Sequence, residues 1–384
     1  MLLRTNRRHA AQAIASLGLA PALSRPLLAA AGAAPASARA MRFSKYEILP
    51  VRVPMAERLR EAWAESYRLQ GRPQTAYEST IVKLHTEEGL VGIGDALLPP
   101  ARAEAILQRM IGRTPWEYLQ DDAIGGILMA VYDVIGHGTG LPACRILASN
   151  PKPSIFHTYW THCLPPDLMA AEAKRAAGLG YRVHKVKARP WQDPVKQAEA
   201  MCAVVPPSYR FWADANACWG TPGRALHFIG ELARFHNYFA VESPVQYREV
   251  GYFRELKKAN PPLRIAEHMG PDPMTFIKEG LLDAFVIGGP IGRSLAQRAL
   301  MAEVTSVPLW IEYGITNGVC QMFQAHHAAA YPGIEYTIAV SHCLESDLVA
   351  EEWKMRDGYF DLPRKPGLGV TLNMNAIEKY RVKV

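Results

Sequence analysis

Charged side chains recur at regular intervals in the second half of the chain. Lys185 is followed by Asp214, Glu242 and Glu267 at steps of 29, 28 and 25 residues, and each step is long enough for one strand–helix unit. Lys187 lies two residues after Lys185, so both side chains point to the same side of an extended strand. The spacing predicts that four successive strands carry a charged group at the same height.

These residue types suit proton abstraction assisted by a metal. Three converging carboxylates repel one another strongly unless a cation lies between them, and oxygen ligands without Cys or His indicate a hard ion, Mg²⁺. Positive charge on the metal and on Lys185 would disfavour protonation of Lys187 and let it act as a base. A metal that binds a substrate carboxylate can stabilise the enediolate formed when the neighbouring proton leaves. Each residue alone would more often be a helix cap or a solvated side chain, but independent caps have no reason to share one period.

Short apolar segments alternate with amphipathic helices from residue 154 onward. Strand–helix alternation indicates a parallel sheet, and about eight repeats favour a closed barrel over an open doubly wound sheet. The charged residues then lie at the carboxyl ends of strands, where barrel enzymes place their active sites. The predicted strands are 157–160, 183–188, 211–214, 239–243, 263–267, 284–287, 309–313 and 336–340.

The residues before this alternation predict a smaller α+β domain. A first strand is predicted at 42–53, and a hairpin at 79–95 turns at Glu87-Glu88-Gly89. A polar loop is predicted between them at 61–75, and helices follow at 101–148 with a break at Pro115.

Six short motifs resemble the enolase superfamily, in the branch of mandelate racemase and muconate lactonizing enzyme. They are Gly-Leu-Val-Gly-Ile-Gly at 89–94, Lys-x-Lys at 185–187, Asp-x-Asn at 214–216, Glu-Ser-Pro at 242–244, Ala-Glu-His at 266–268 and Pro-Gly-Leu-Gly-Val at 366–370. The resemblance covers nearly all of residues 42–384. It implies an α/β fold in which a (β/α)-barrel of the modified TIM type carries an N-terminal α+β capping domain.

The resemblance also sets expected boundaries for these parts. The capping domain would span 41–152 and the barrel 153–350, and a C-terminal segment at 351–384 would return to the capping domain. The loop at 61–75 would then close over the barrel mouth as a substrate lid.

Individual residues take roles from the same resemblance. Asp214, Glu242 and Glu267 match the Mg²⁺ ligands, Lys187 matches the base, and Lys185 matches the residue that contacts the substrate carboxylate.

Three further residues near the predicted mouth are candidates for supporting roles. Asn216 would stand behind the metal ligands. His268 and Arg189 would each contact the substrate or hold a loop.

The chain departs from the family where racemases carry a second base. Strand six ends at 286–290 without a lysine, and strand seven ends at 311–314 without a histidine. One base and a metal suffice for a β-elimination in which a general acid helps the leaving group, and Glu312 or Tyr313 could be that acid, or could serve packing alone. This departure favours elimination over racemisation.

The leading hypothesis is therefore a Mg²⁺-dependent lyase, a dehydratase of a hydroxy acid or sugar acid. A racemase, epimerase or cycloisomerase acting on a carboxylate is the enzymatic alternative, and a non-catalytic carboxylate-binding protein is the third hypothesis. The expected partner is a small-molecule carboxylate, and the resemblance implies a homo-oligomer.

The first forty residues have the composition of an export signal. They contain five arginines and no acidic residue, and removing those five from the formal net charge of +7 leaves +2. This balance argues against a nucleic-acid partner. The pair Arg7-Arg8 before an Ala/Leu-rich stretch predicts twin-arginine export to the periplasm, with an organellar transit peptide or a chance pair as alternatives. Pro21, Arg25 and Pro26 interrupt the apolar stretch, which predicts no stable membrane insertion.

The cysteines form no zinc or redox motif. All six are far apart in the sequence, without a Cys-x-x-Cys pair, and we expect them to be mostly buried small hydrophobic residues.

Overall fold

The computed structural model describes residues 41–66, 75–270, 272–289 and 291–382. Its first element along the chain is a three-stranded antiparallel sheet. The strands are β1 (Phe43–Pro54), β2 (Ala76–Thr86) and β3 (Val91–Asp95), in the order β1-β2-β3. The predicted hairpin is confirmed by the antiparallel pairing of β2 with β3.

The predicted loop at 61–75 is wrong in its first part. Helix α1 spans Glu57–Ser66, and residues 67–74 lie outside the described residues. Leu59 and Ala62, three positions apart, are both buried on one face of the helix, as expected for a helix packed on a core. Two apolar side chains among many polar ones give too weak a periodic signal to identify this helix from sequence.

Helices cover the sheet and complete the capping region. They are α2 (Pro100–Met110), α3 (Leu128–Thr139) and α4 (Ala143–Leu147), with 3₁₀ turns at Pro115–Tyr118 and Asp122–Ile127. The predicted break falls at the first of these turns. Helix α3 lies so close to β3 that a Cβ atom at Gly92 would come within 2.2 Å of the Ala130 carbonyl oxygen, so the glycine is required for this packing.

Eight parallel strands then close into the predicted barrel. Each strand pairs with its neighbours in sequence, and the last pairs with the first through Ile338 and Thr158. The strands are β4 (Ser154–Thr161), β5 (Val183–Lys187), β6 (Arg210–Asp214), β7 (Tyr238–Glu242), β8 (Arg264–His268), β9 (Ala284–Ile287), β10 (Leu309–Ile311) and β11 (Ile334–Ala339).

Seven helices connect these strands on the outside of the barrel. They are α5 (Pro166–Gly178), α6 (Pro194–Cys202), α7 (Pro222–Leu232), α8 (Val250–Ala259), α9 (Pro273–Glu279), α10 (Arg293–Thr305) and α11 (Gly318–Ala330). None of the helices in the described ranges is long and apolar enough to cross a membrane.

Aromatic side chains fill the lower half of the barrel. Trp212 and Trp310 are stacked with ring centroids 4.4 Å apart, and Tyr336 lies 5.6 Å from both rings. The guanidinium of Arg264 lies 5.3 Å from the Trp310 ring centroid, within the range of a cation–π contact. This layer forms a solid floor beneath the strand ends.

The C-terminal segment contacts both the barrel and the capping region. Strand β13 (Tyr359–Asp361) pairs with β12 (Met355–Arg356) and with the start of β4, and α12 (Met374–Tyr380) follows. The backbone of Arg381 bridges to Val51 on β1. Such a return was expected from the resemblance.

Asp133 on α3 joins three segments through its buried carboxylate. It accepts hydrogen bonds from the backbone N–H of Ile93, at 2.9 Å, and of Leu368, at 2.7 Å, and the side chain is 3% exposed. His137, one turn later on α3, lies 3.4 Å from the same carboxylate but is 41% exposed. The two backbone bonds tie the hairpin and the C-terminal segment to one helix.

We expect Asp133→Ala to lower the free energy of unfolding by about 3 kcal/mol, because two buried N–H groups lose their acceptor at about 1–3 kcal/mol each. Chemical denaturation followed by circular dichroism measures this loss. His137→Ala is the control and should cost less than about 1 kcal/mol. Equal losses in the two variants would show that the backbone bonds are not what the carboxylate contributes.

Candidate active site

The register of the barrel strands determines which side chains face inward at the mouth. Lys187 pairs with Asp214, and Asp214 pairs with Glu242, so these three neighbours point the same way. Glu242 pairs with Ala266, and side chains alternate along a strand. The inward residue at the end of β8 is therefore His268, and Glu267 faces the other side.

The ammonium of Lys185 lies at the centre of the inward carboxylates. Its Nζ is 2.8 Å from Glu242 Oε1, 2.7 Å from Glu312 Oε2 and 3.2 Å from Asp214 Oδ2, and the side chain is fully buried. Burial alone would lower the pKa of the Lys185 ammonium, but these carboxylates hold it well above its usual value. Lys185 therefore stays charged and compensates three buried acids at once.

Lys187 is held by the loop that follows β6. Its Nζ donates to Asp214 Oδ2 and, at 2.9 Å, to Asn216 Oδ1. The same amide oxygen accepts a 2.6 Å hydrogen bond from Arg189 Nη2, and Arg189 Nη1 donates to the Asp214 carbonyl at 3.3 Å. Arg189 is 1% exposed, so it holds this loop from within the fold.

His268 and Glu312 form a pair on the opposite side of Lys185. His268 Nε2 lies 3.2 Å from Glu242 Oε1 and 3.5 Å from Glu312 Oε1, and its side chain is 41% exposed at the mouth. Burial lowers the pKa of His268, but the hydrogen bond and charge of Glu242 and the charge of Glu312 raise it to about 9. Burial raises the pKa of Glu312, but the positive charges of Lys185 and His268 lower it by more, so the pKa lies below its usual value.

Glu267 is close to the site but bonded to its own surroundings. Oε1 accepts hydrogen bonds from Ser243 Oγ at 2.6 Å and from the His268 N–H at 2.7 Å. Burial raises the pKa of Glu267 to about 7, and Oε2 is buried with no hydrogen-bond partner among the described residues. A buried carboxylate oxygen in this state is unusual and fits a nearby cation.

Tyr313 does not share the pattern of its neighbour Glu312. Its hydroxyl is buried and has no hydrogen-bond partner in the described part of the chain. Burial raises the pKa of this hydroxyl well above its usual value, and Cys320 and Tyr331 lie close enough to add to the effect. Tyr313 therefore packs toward α11.

Three site residues escaped the sequence analysis, and a fourth, Ser243, appeared there only within the Glu-Ser-Pro motif, without a role. Trp212 Nε1 donates to Glu242 Oε2 at 3.0 Å, and Ser243 donates to Glu267. Trp160 on β4 lies with its ring centroid 5.6 Å from Lys187 Nζ, and His162 follows β4 with its ring 4.3 Å from that of Trp160. The sequence shows a tryptophan two residues before Asp214 and a histidine at a strand end. Neither residue type indicates a site unless the pairing of the barrel strands is known.

The donor groups at the mouth fit a divalent cation. Ligand atoms of Glu242, His268 and Glu312 all lie within 4.8 Å of one another. Asp214 is connected to this group because its carboxylate contacts the same Lys185 ammonium. The two carboxylates suit Mg²⁺ or Mn²⁺. The imidazole would join them only after losing its proton, and this donor set differs from the all-oxygen set expected from the sequence. Of the three predicted ligands, Asp214 and Glu242 face this cluster, whereas Glu267 lies beside it and accepts a hydrogen bond from Ser243.

A closed (β/α)-barrel with carboxylates, two lysines and a capping sheet at its mouth defines a metal-assisted acid–base enzyme scaffold. The family model described as "Enolase C-terminal domain-like" matches residues 168–376, more than half of the chain. The protein therefore belongs to the enolase superfamily, as the motifs predicted.

Two relatives align with most of the chain. D-gluconate dehydratase of Thermoproteus tenax is 24% identical over 371 residues, covering 83% of this chain and 72% of the relative. Cis-3-hydroxy-L-proline dehydratase of Roseibium aggregatum is 23% identical over 363 residues, covering 86% of this chain and 96% of the relative.

A solved structure shows the same fold at lower identity. The dipeptide epimerase from Enterococcus faecalis superposes with a TM-score of 0.70 at 20% identity, covering 86% of this chain and all of that one. The fold is thus shared by proteins whose names describe different reactions.

We expect Glu242→Gln to weaken Mn²⁺ binding by about 100-fold or more, since even residues behind metal ligands contribute 10–100-fold. Electron paramagnetic resonance of free Mn²⁺ measures the affinity. Glu335→Gln is the matched control, because Glu335 also accepts a hydrogen bond from a barrel tryptophan, Trp310, at 2.8 Å, but lies at the start of β11. Unchanged binding in Glu242→Gln would exclude Glu242 as a ligand.

Proposed function

We propose that the protein is a Mg²⁺-dependent lyase that dehydrates a small hydroxy acid or sugar acid. The observation that carries this proposal is the inward pairing of Lys187 with Asp214 and of Asp214 with Glu242. It gives a positioned amine beside acidic groups that suit a cation, which is what removal of a proton next to a carboxylate requires. The dehydratase names of two relatives support elimination as the reaction type.

Lys187 is the proposed base. Two acceptors, Asp214 Oδ2 and Asn216 Oδ1, fix its Nζ at the barrel mouth, and Arg189 fixes Asn216 in turn. A base held from two sides loses little freedom when it meets the substrate. Lys187 must be neutral when the α-proton is transferred to it.

One lysine can balance the protons of the elimination. Lys187 takes the α-proton, the bond from the β-carbon to its hydroxyl breaks, and the hydroxyl needs one proton to leave as water. The Lys187 ammonium can return that proton on the same face. A substrate with a second hydroxyl at C2 then gives an enol that rearranges to a 2-keto acid, and a substrate without it gives an α,β-unsaturated acid. Glu312 accepts from Lys185 and His268 rather than donating, and the Tyr313 hydroxyl is buried toward α11, so neither is needed as the acid.

The metal completes the charge balance of this reaction. Glu242, Glu312 and His268 would hold it, with Asp214 and Glu267 next to them, and a bound Mg²⁺ would supply positive charge to the substrate carboxylate as the proton leaves. Lys185 adds a second positive charge close by.

Racemisation or epimerisation is the second candidate, and the position of His268 favours it. His268 is partly exposed at the mouth on β8, three strands away from Lys187 on β5. Two proton carriers on opposite sides of a substrate carbon are what inversion requires. In this case His268 would carry a proton instead of holding the metal, which would be left to the carboxylates. The product would be the other stereoisomer, and no water would be released.

We expect Lys187→Met to lower exchange of the substrate α-proton by about 10³-fold, because a positioned base contributes about 10²–10⁴. Purified protein with Mg²⁺ is incubated in D₂O with hydroxy acids, sugar acids and N-acyl amino acids, and proton NMR follows the α-proton. Lys152→Met is the control, since Lys152 donates to the Ile334 carbonyl at the opposite end of the barrel.

The products separate the hypotheses. A 2-keto acid or an α,β-unsaturated acid indicates dehydration, and deuterium in an inverted product indicates epimerisation. Exchange that persists in Lys187→Met would contradict the assigned base, and metal binding without exchange of any acid would indicate a carboxylate-binding protein.

We also propose that the protein is exported to the periplasm through the pair Arg7-Arg8. Replacing both with lysine should retain the full chain in the cytoplasm of a bacterial host, because the twin-arginine pathway reads the arginine pair itself. Cell fractionation and immunoblotting measure the distribution, with Arg4→Lys as the control. Equal distribution of both variants would contradict this route.

A further inference from the structure

The position of Lys185 raises the question of what a metal ion must displace. Both oxygens of Glu242 already have donors: Oε1 is 2.8 Å from Lys185 Nζ and 3.2 Å from His268 Nε2, and Oε2 accepts from Trp212 Nε1 at 3.0 Å. A cation that binds Oε1 would therefore meet the positive charge of Lys185 at short range.

The three donors differ in how easily they can move. Trp212 is fully buried and stacked on Trp310 in the barrel floor, so its indole cannot shift without disrupting the packed layer. Lys185 carries its charge on a flexible four-carbon chain, and ammonium and metal cation cannot share one carboxylate oxygen at short range without strong repulsion. His268 is itself one of the candidate ligands of the cation. Lys185 is therefore the donor whose charge the cation has to displace.

We propose that Lys185 is an intramolecular competitor of the divalent cation, and that Glu312 is the anchor that keeps its ammonium when the cation takes Glu242. The proposal rests on the metal site of the proposed function. It gives Lys185 a role in metal affinity that is separate from contact with a substrate.

Glu312 is suited to this anchoring role. Its Oε2 lies 2.7 Å from Lys185 Nζ, the shortest of that ammonium's three carboxylate contacts, and its Oε1 lies on the side of His268. Without Glu312, Lys185 would keep only Asp214 and Glu242 as charged partners among the described residues, and its hold on both would strengthen. Because Lys185 contacts Oε2 and the other candidate ligands face Oε1, Glu312 can keep the ammonium paired while its second oxygen stays available to the cation.

The test measures Mn²⁺ affinity of the full-length protein at constant ionic strength. Lys185→Met should bind Mn²⁺ about tenfold or more tightly than wild type, because a charged hydrogen bond no longer has to be broken. Lys187→Met removes an ammonium that contacts Asp214 but not Glu242, so the gain in Mn²⁺ affinity should be smaller in this variant. Lys152→Met, remote from the site, should leave the affinity unchanged.

A double-mutant cycle tests the anchor. Glu312→Gln should weaken Mn²⁺ binding in the wild-type background, and the loss should be clearly smaller in Lys185→Met, since there is no ammonium left to anchor. Equal losses in both backgrounds would mean that Glu312 acts only as a metal ligand and would overturn the anchoring role.

Thermal unfolding provides a second readout. Lys185→Met should be less stable than wild type without metal, because its carboxylates lose their counter-charge, and should gain more in melting temperature when Mn²⁺ is added. If Lys185→Met does not fold without metal, Lys185→Gln is compared in its place. Unchanged or weaker Mn²⁺ affinity in the neutral variant would overturn the competition.

Failure of this inference can be told apart from failure of the proposed function. Competition is read from metal affinity alone, whereas the lyase proposal is read from α-proton exchange. A wild-type protein that binds Mn²⁺ and shows the predicted Lys185 effect, but exchanges no proton, would contradict only the enzymatic proposal.

Discussion

Compensation of buried negative charge is the constraint around which the barrel mouth is built. Asp214, Glu242 and Glu312 face inward where water is largely excluded, and isolated carboxylates in such surroundings are very costly. Lys185 contacts all three carboxylates. Lys187 contacts Asp214, and His268 contacts Glu242 and Glu312. The site is thus a balanced cluster in which any change of charge, by a metal, a proton or a substrate carboxylate, must be matched by movement of another group.

Much of the fold follows from local sequence patterns. The strand–helix alternation from residue 154 predicted eight strands and a closed barrel, because each apolar segment and each amphipathic helix has its own period and the connections are short. The hairpin at 79–95 was equally visible through its turn. Helix α1 was missed because its buried face consists of few apolar residues, and its position depends on packing against the barrel that local patterns do not contain.

The site was harder to predict than the fold, for a geometric reason. Lys187, Asp214 and Glu242 could be placed together because the steps between the corresponding strand ends are nearly equal. The next step, to Glu267, is shorter, and the pairing of Glu242 with Ala266 turns His268 inward instead. A shift of one residue reverses the facing of a side chain, and only the pairing between strands, which depends on the whole barrel, determines it. Glu312 directly follows β10, where its N–H donates to the Ile287 carbonyl, and no motif in the sequence marks it.

The bond between Trp212 and Glu242 has an optical consequence. The indole that donates to this carboxylate is stacked on Trp310, so two coupled chromophores end directly beneath the reactive groups. Any event that changes the charge next to Glu242 alters the electric field across the Trp212 ring, and indole emission and near-ultraviolet circular dichroism respond to such fields. Binding of a metal ion or substrate at the barrel mouth should therefore change the tryptophan spectra of the unlabelled protein.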